Sequence, residues 1–310
     1  MKLQLAIGRY LRLKQSLGFR FHAERVILKA FARQMGRIDL GQVKPTGVRR
    51  FLDGSGPVTR FWERKWVTLR GFYRFALSRG LVRRSPVPEV APKLARSFVP
   101  YIFSKKELRQ LLVAIPPEPL AGLSAVTLRT LLLLLYGTGL RISEALALNE
   151  DDLQIESRLM LVRQTKFFKT RYVPLGRQVA AILRDYLPSR PRCRRGHRCA
   201  FFRTVVGTPL SRASVERAFR QLRPKADVKR VDGFGYQPRL HDLRHTFAVH
   251  RLVAGYRQGA DLQNLLLRLS TFLGHVNLAA TQRYLTLTHE LAQQANRRFE
   301  HYVLEGGQHE

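Results

Sequence analysis

Acidic residues are scarce in this chain: 22 Asp and Glu stand against 55 Lys and Arg in 310 residues, a formal net charge of +33. The basic residues run through the whole length and do not collect in a tail. Basic composition alone commonly means a solvated surface, and an anionic membrane is a second partner it could serve. An excess this large, mostly arginine and interleaved with aromatics, favours nucleic acid over both, because each neutralised phosphate releases counterions.

Cysteine is scarcer still, with only Cys193 and Cys199. With His197 between them they offer too few ligands at the wrong spacing for zinc, and so low a count suits a reducing cytosol. Long apolar runs are missing as well. Leu131 to Leu135 are five successive leucines, but Arg129 and Gly137 bound the stretch far short of the roughly 20 residues that span a bilayer. It reads as a buried core helix. Arg9 and Arg12 interrupt the first residues before a signal-peptide core could form.

What is present is 45% hydrophobic, enough to bury a sizeable core, in a chain long for one domain, so two domains are expected. Residues 1–82 read as four helices. Leu3, Ile7 and Leu11 recur at helical spacing, as do Ala23, Ile27, Phe31 and Met35, followed by a short helix after Pro45. The fourth carries Trp62, Trp66, Leu69 and Tyr73 on one face, with Arg60, Arg64, Lys65, Arg70 and Arg74 around the others as candidate phosphate contacts. Residues 83–103 hold Pro86, Pro88, Pro92 and Pro100 among Arg83, Arg84, Lys93 and Arg96, a basic linker kept extended by proline. Such a strap suits a nucleic-acid backbone, with a lobe on either side of a duplex.

Residues 104–310 form the second domain. Ser104 to Glu107 is a capping-box pattern that opens a helix. A helix over about Leu123 to Tyr136 stops at Gly137-Thr138-Gly139, and Arg141 starts another. Leu159, Leu161 and Tyr172 to Leu175 read as short strands around a turn, and helices resume near Gln178, Ser211, Leu240, Gln263 and Thr288. The fold expected is mainly α with a small antiparallel β-sheet.

The chemistry concentrates in Leu273-Gly-His275 and Tyr284. At a pKa near 10 only about one tyrosine in a thousand is ionised at pH 7, so activating one as a nucleophile takes roughly 4 kcal/mol of help. Arg141 after its glycine turn, Lys166 or Lys169 between the strands, and the pair His241 and Arg244, three apart on one helical face, are the candidates to supply it.

Taken together, Thr138-Gly-Leu-Arg-Ile-Ser-Glu144, Lys166 to Leu175 ending Arg-Tyr-Val-Pro-Leu, His241-Asp-Leu-Arg-His-Thr-Phe247, and Leu273-Gly-His275 with Tyr284 resemble the tyrosine recombinase, or phage integrase, family. The resemblance covers about Ser104 to His301. Each motif is weak alone; their order and the His-to-Tyr spacing make the match specific. The first 82 residues look like that family's four-helix (SAM-like) core-binding domain.

The resemblance implies that Arg141 and Arg244 clamp a scissile phosphate, as guanidinium forks can. His241 would assist proton transfer at the tyrosine, His275 would hydrogen-bond the phosphate, and Tyr284 would be the nucleophile. Counting back from Arg171-Tyr-Val-Pro-Leu puts Lys166 in the general-acid position, with Lys169 as the alternative, since the glycine many relatives carry after the lysine is Phe167 here. His245 and His250 are read as packing or helix-face residues, and Glu144 and Asp242 as supports at most. The implied reaction needs no cofactor and no metal.

Double-stranded DNA is the implied partner, with a homo- or hetero-tetramer on two DNA sites, no membrane, and a cytoplasmic, nucleoid-associated setting. Integration, excision or transposition of a mobile element is the favoured role. Two alternatives share the fold or the chemistry: a type IB topoisomerase-like relaxing enzyme, and a non-catalytic DNA-binding protein. The separate helical lobe speaks against the first and the complete residue set against the second. In relatives, a helix like the one expected at Thr288 to His301 packs on the neighbouring protomer. Deleting the residues after Thr288 is therefore expected to abolish recombination while leaving DNA binding, and unchanged recombination would refute that role.

Overall fold

The computed structural model describes residues 1–19, 21–54, 58–92, 99–163, 170–193, 199–233, 235–274 and Thr281. The chain divides into two compact units, Met1–Phe98 and Val99–Glu310.

The first unit holds α1 (Leu3–Ser16), α2 (His22–Met35), α3 (Pro45–Asp53) and α4 (Arg60–Ser78). Pro45 opens α3, where its missing N–H costs nothing. Thr59 caps α4 by accepting the Trp62 amide at 3.4 Å. Helix α4 packs on the other three and buries Leu69, Phe72, Tyr73 and Ala76 completely. These are the residues its 3.6-residue period puts on one stripe.

Two features depart from the sequence reading. Lys65 turns inward and is buried, its Nζ donating to the Phe51 carbonyl at 2.6 Å, and burial lowers its pKa. A lysine stem can lie along apolar surface while its ammonium reaches a helix-end carbonyl. The first part of the proline-rich linker is no free strap, because Val87 joins this core and the Trp66 indole donates to the Pro88 carbonyl at 2.8 Å. A buried indole N–H needs a partner, and the chain folds back to provide it.

The second unit contains α5 (Lys105–Val113), α6 (Ala125–Thr138), α7 (Ile142–Leu146), β1 (Leu153–Gln154), β2 (Leu159–Val162), β3 (Arg171–Pro174), α8 (Arg177–Ser189), α9 (Arg212–Lys225), α10 (Asp242–Arg257) and α11 (Leu262–Leu273). Ser104 and Glu107 close the expected capping box on α5. The leucine-rich α6 packs against α8 and α10, which is why it is apolar nearly all round. The sheet is antiparallel in the order β1-β2-β3, with Met160 opposite Val173 and Val162 opposite Arg171. Met160, Val162 and Val173 face the core. Strand β1 is new relative to the sequence reading, since two residues are too few to show an alternation.

Cys193 and Cys199 are joined by a disulfide, a pairing their spacing had not suggested. Buried Arg203 draws the ends of that loop together by donating to the Ala200 carbonyl at 2.8 Å, the Pro191 carbonyl at 3.0 Å and Glu150 at 2.7 Å. Among the described residues no helix is long and apolar enough to cross a membrane. The helix expected at Thr288 lies outside the described residues.

Both tryptophans, Trp62 and Trp66, belong to the core of the first unit, so fluorescence excited selectively at tryptophan reports on that unit alone. Phe72→Ala empties a fully buried site there and should cost about 3–5 kcal/mol, lowering the urea midpoint of the fluorescence transition.

Candidate active site

Two helices end side by side in the second unit. Helix α6 stops at Gly139, which takes the left-handed conformation (φ +61°), and a Cβ there would lie 2.5 Å from Phe247 and 2.8 Å from Leu273. Only glycine fits both the dihedral and the space. Helix α11 ends similarly at Gly274.

Arg244, one turn into α10, bridges these ends. Its Nη1 donates to the Gly139 carbonyl at 2.7 Å and its Nη2 to the Leu273 carbonyl at 2.8 Å, and the residue is 3% exposed. C-terminal carbonyls lack intrahelical donors and carry the negative end of the helix dipole, so a guanidinium satisfies both. A phosphate meeting this arginine would leave water behind, where charge–charge attraction is strongest.

The turn after Gly139 delivers Arg141 as the residue capping α7. Buried Glu144 accepts from the Arg141 amide at 3.0 Å and from its Nη1 at 2.8 Å. Arg171 on β3 donates to the same carboxylate through Nη1 at 3.2 Å and Nη2 at 3.0 Å. Burial alone would raise the Glu144 pKa, but the hydrogen bonds and charges of Arg171 and Arg141 together leave it below the usual value. The carboxylate is therefore ionised at neutral pH.

His241 immediately precedes α10 and lies at the wall of a cleft of about 710 Å³, also lined by Arg212, Arg220, Arg223, Tyr236 and Arg239. Surrounding protein crowds the ring although part of it stays open to solvent. That desolvation, with the charges of Arg244, Arg239, Arg141 and Arg212, pushes its pKa down to about 4. A neutral imidazole can accept a proton from a phenol. His245 meets the His241 ring edge to face at 5.0 Å, and His250 Nδ1 bonds the Tyr136 hydroxyl at 2.9 Å, so both pack as the sequence suggested. Asp242 is buried and accepts from the Arg239 amide at 2.8 Å; burial raises its pKa.

Of the residues singled out by sequence, Arg141, His241 and Arg244 come together from positions a hundred residues apart. Lys166 and Lys169 fall between β2 and β3 in sequence, but they, His275 and Tyr284 lie outside the described residues. The residue overlooked is Arg171, used only as an anchor for counting. Its strand parity was the available signal: it shares a face with buried Val173, an unusual place for an arginine.

The phage integrase family matches residues 102–290. The chain is 33% identical to the "Putative integrase/recombinase y4rB" of Sinorhizobium fredii, over 95% of this chain and 96% of that protein. It is 32% identical to the tyrosine recombinase XerD of Corynebacterium glutamicum, over 78% of this chain and 75% of that one. The chain belongs to the phage integrase, or tyrosine recombinase, family.

The recombinase shares its fold with the Tn1549 transposon integrase solved in complex with a circular intermediate DNA, at a TM-score of 0.68 and 18% identity, covering 95% of this chain and 99% of that one. A lambda integrase dimer bound to a COC′ core site matches at a TM-score of 0.66 and 19% identity, covering 92% and 95%. The recombinase is thus mainly helical, a helical N-terminal domain followed by an integrase catalytic domain with a three-stranded antiparallel sheet. It is a DNA recombinase of that family.

The depressed histidine gives a direct test in the DNA-free recombinase. In proton-detected NMR of ¹⁵N-histidine-labelled protein, the signal missing from His241→Gln should stay neutral as pH falls through 6.5, its midpoint displaced toward about 4. A midpoint at or above 6.5 contradicts the electrostatics described.

Proposed function

We propose that this recombinase cuts and rejoins double-stranded DNA through a 3′-phosphotyrosine on Tyr284. The observation that carries the reading is the convergence of two arginines and a neutral histidine, Arg141, Arg244 and His241, in the second unit of a phage integrase family member. Two guanidiniums suit the non-bridging oxygens of one phosphodiester and the extra charge of a pentacoordinate phosphorane.

In this reading the Tyr284 oxygen attacks the scissile phosphorus and its proton passes to His241. The P–O5′ bond breaks, and Lys166, or Lys169 in its place, protonates the departing 5′ oxygen. His275 hydrogen-bonds the phosphate. The products are a 3′-phosphotyrosine and a free 5′-hydroxyl. A 5′-hydroxyl from a partner strand reverses the step, so the phosphodiester energy is conserved and strands can be exchanged.

Strand exchange between two duplexes calls for four protomers, and a lambda integrase tetramer bound to a Holliday junction shares this fold at a TM-score of 0.67. We take the recombinase to assemble likewise on two sites, with residues 1–82 as a helical clamp on the DNA, residues 83–103 as the connection and residues 104–310 as the catalytic domain. Integration, excision or transposition of a mobile element is the role that suits its likeness to an integrase/recombinase over nearly its full length and to a transposon integrase. On that reading we take the recombinase to act in the cytoplasm, associated with a bacterial nucleoid.

A nicked suicide substrate carrying the cognate site tests the chemistry. Wild-type protein should form a covalent adduct that survives denaturation, and Tyr284→Phe should form none. Arg141→Lys keeps the charge but loses the fork, and should slow adduct formation about 10²- to 10³-fold. DNA binding without any adduct would favour the non-catalytic alternative.

A further inference from the structure

We propose that Arg171 is a positioning residue for cleavage: by holding the Glu144 carboxylate it leaves the Arg141 guanidinium aimed at the scissile phosphate, and through the Phe272 carbonyl it ties that clamp to the end of α11. The inference rests on the reading of Arg141 as a phosphate clamp.

A carboxylate beside a catalytic arginine is a hazard, because it offers the same two-oxygen edge as a phosphate and competes for the same fork. Glu144 lies 2.8 Å from Arg141 Nη1, close enough to capture that guanidinium bidentately and keep it from substrate. The second fork in the structure addresses this. Arg171 meets Oε1 and Oε2 of Glu144 through Nη1 and Nη2, whereas the Arg141 side chain keeps a single bond, to Oε1. Oε2 also accepts the Arg141 backbone amide, which anchors the main chain without drawing on the guanidinium. Exposure follows the same division: the side chains of Arg171 and Glu144 are 16% and 5% exposed, and that of Arg141 is 28% exposed.

The third nitrogen of the Arg171 guanidinium extends the link. Its Nε donates to the Phe272 carbonyl at 3.3 Å, one residue before the Leu273 carbonyl that Arg244 holds. Gly274 leaves the room, since a Cβ there would lie 3.0 Å from the Arg171 guanidinium carbon. A single side chain on β3 thus touches the support of Arg141, the helix end that seats Arg244, and the glycine that precedes His275. Misplacing a catalytic group by about 1 Å can cost on the order of 10²-fold in rate, so a link of this kind has a kinetic signature.

The test uses the full-length recombinase and the suicide substrate, measuring DNA affinity separately from the single-turnover rate of adduct formation at saturating DNA. Arg171→Gln should slow adduct formation about 10- to 100-fold while leaving the Kd within about 2-fold. Arg171→Lys retains the charge and aliphatic stem but cannot span both oxygens, so it should fold and remain well below wild type. It carries the comparison if the glutamine variant does not fold. In a Glu144→Gln background the competing charge is gone and only the single bond to the Phe272 carbonyl is left to lose, so Arg171→Gln should then slow the rate by no more than about 3-fold. An unchanged rate in both Arg171 variants, a loss confined to Kd, or the full loss repeated in the Glu144→Gln background overturns the proposal. Failure of the wild type to form an adduct would instead count against the proposed chemistry, so the two failures are distinguishable.

Discussion

A buried guanidinium held between two helix ends organises the catalytic domain. Arg244 is almost wholly removed from water, and an ion so placed is tolerated only where its hydrogen bonds are satisfied. The carbonyls of Gly139 and Leu273 satisfy them, which requires α6 and α11 to terminate at one place. Both helices do so with left-handed glycines, and the first permits the close approach of Phe247 and Leu273. Removing the arginine would leave two helix ends without donors as well as a site without its charge.

The scarcity of acids takes on meaning in this setting. In a chain of net charge +33 the second unit holds many arginines at close quarters, and its few buried carboxylates stand where arginines need orienting. Glu144 joins Arg141 to Arg171, Asp242 holds Arg239, and Asp152 pairs with Arg163. Glu150, half exposed, gathers Arg190 and Arg203. Desolvation and, after it, the same surplus of cations lower the pKa of His241, so the charge that suits a polyanion also helps to keep that imidazole neutral. Of these pairs Glu144–Arg171 is the one largely buried on both sides, and breaking it would leave a buried carboxylate short of a partner at a cost of about 3–5 kcal/mol.

Much of the fold was legible because helical spacing and capping are local. The Ser104 to Glu107 box, the proline at the start of α3 and the apolar stripe of α4 all form where their residues fall in the chain. The site was legible in part, since Arg141, His241 and Arg244 sit in short motifs of fixed order. Lys65, Arg171 and the Cys193–Cys199 pair were not. Each depends on a partner distant in sequence or on a loop closed by another side chain: the Phe51 carbonyl, the Glu144 carboxylate, and the bonds Arg203 makes to Pro191 and Ala200. Strand parity could mark Arg171 as facing inward, but nothing within a local window names the acid it meets.

By itself the sequence determined a helical protein of strongly positive charge, the order of its motifs, and the residue types a phosphodiester needs, because periodicity, composition and short spacings are properties of the chain alone. Tertiary structure decided which cations act on which groups. It brought the ends of α6 and α11 to Arg244, gave Glu144 two arginines, and keeps His241 neutral by desolvation and by the cations around it. Those outcomes follow from burial and from distances of about 3 Å between residues as much as a hundred positions apart, and no local pattern encodes them.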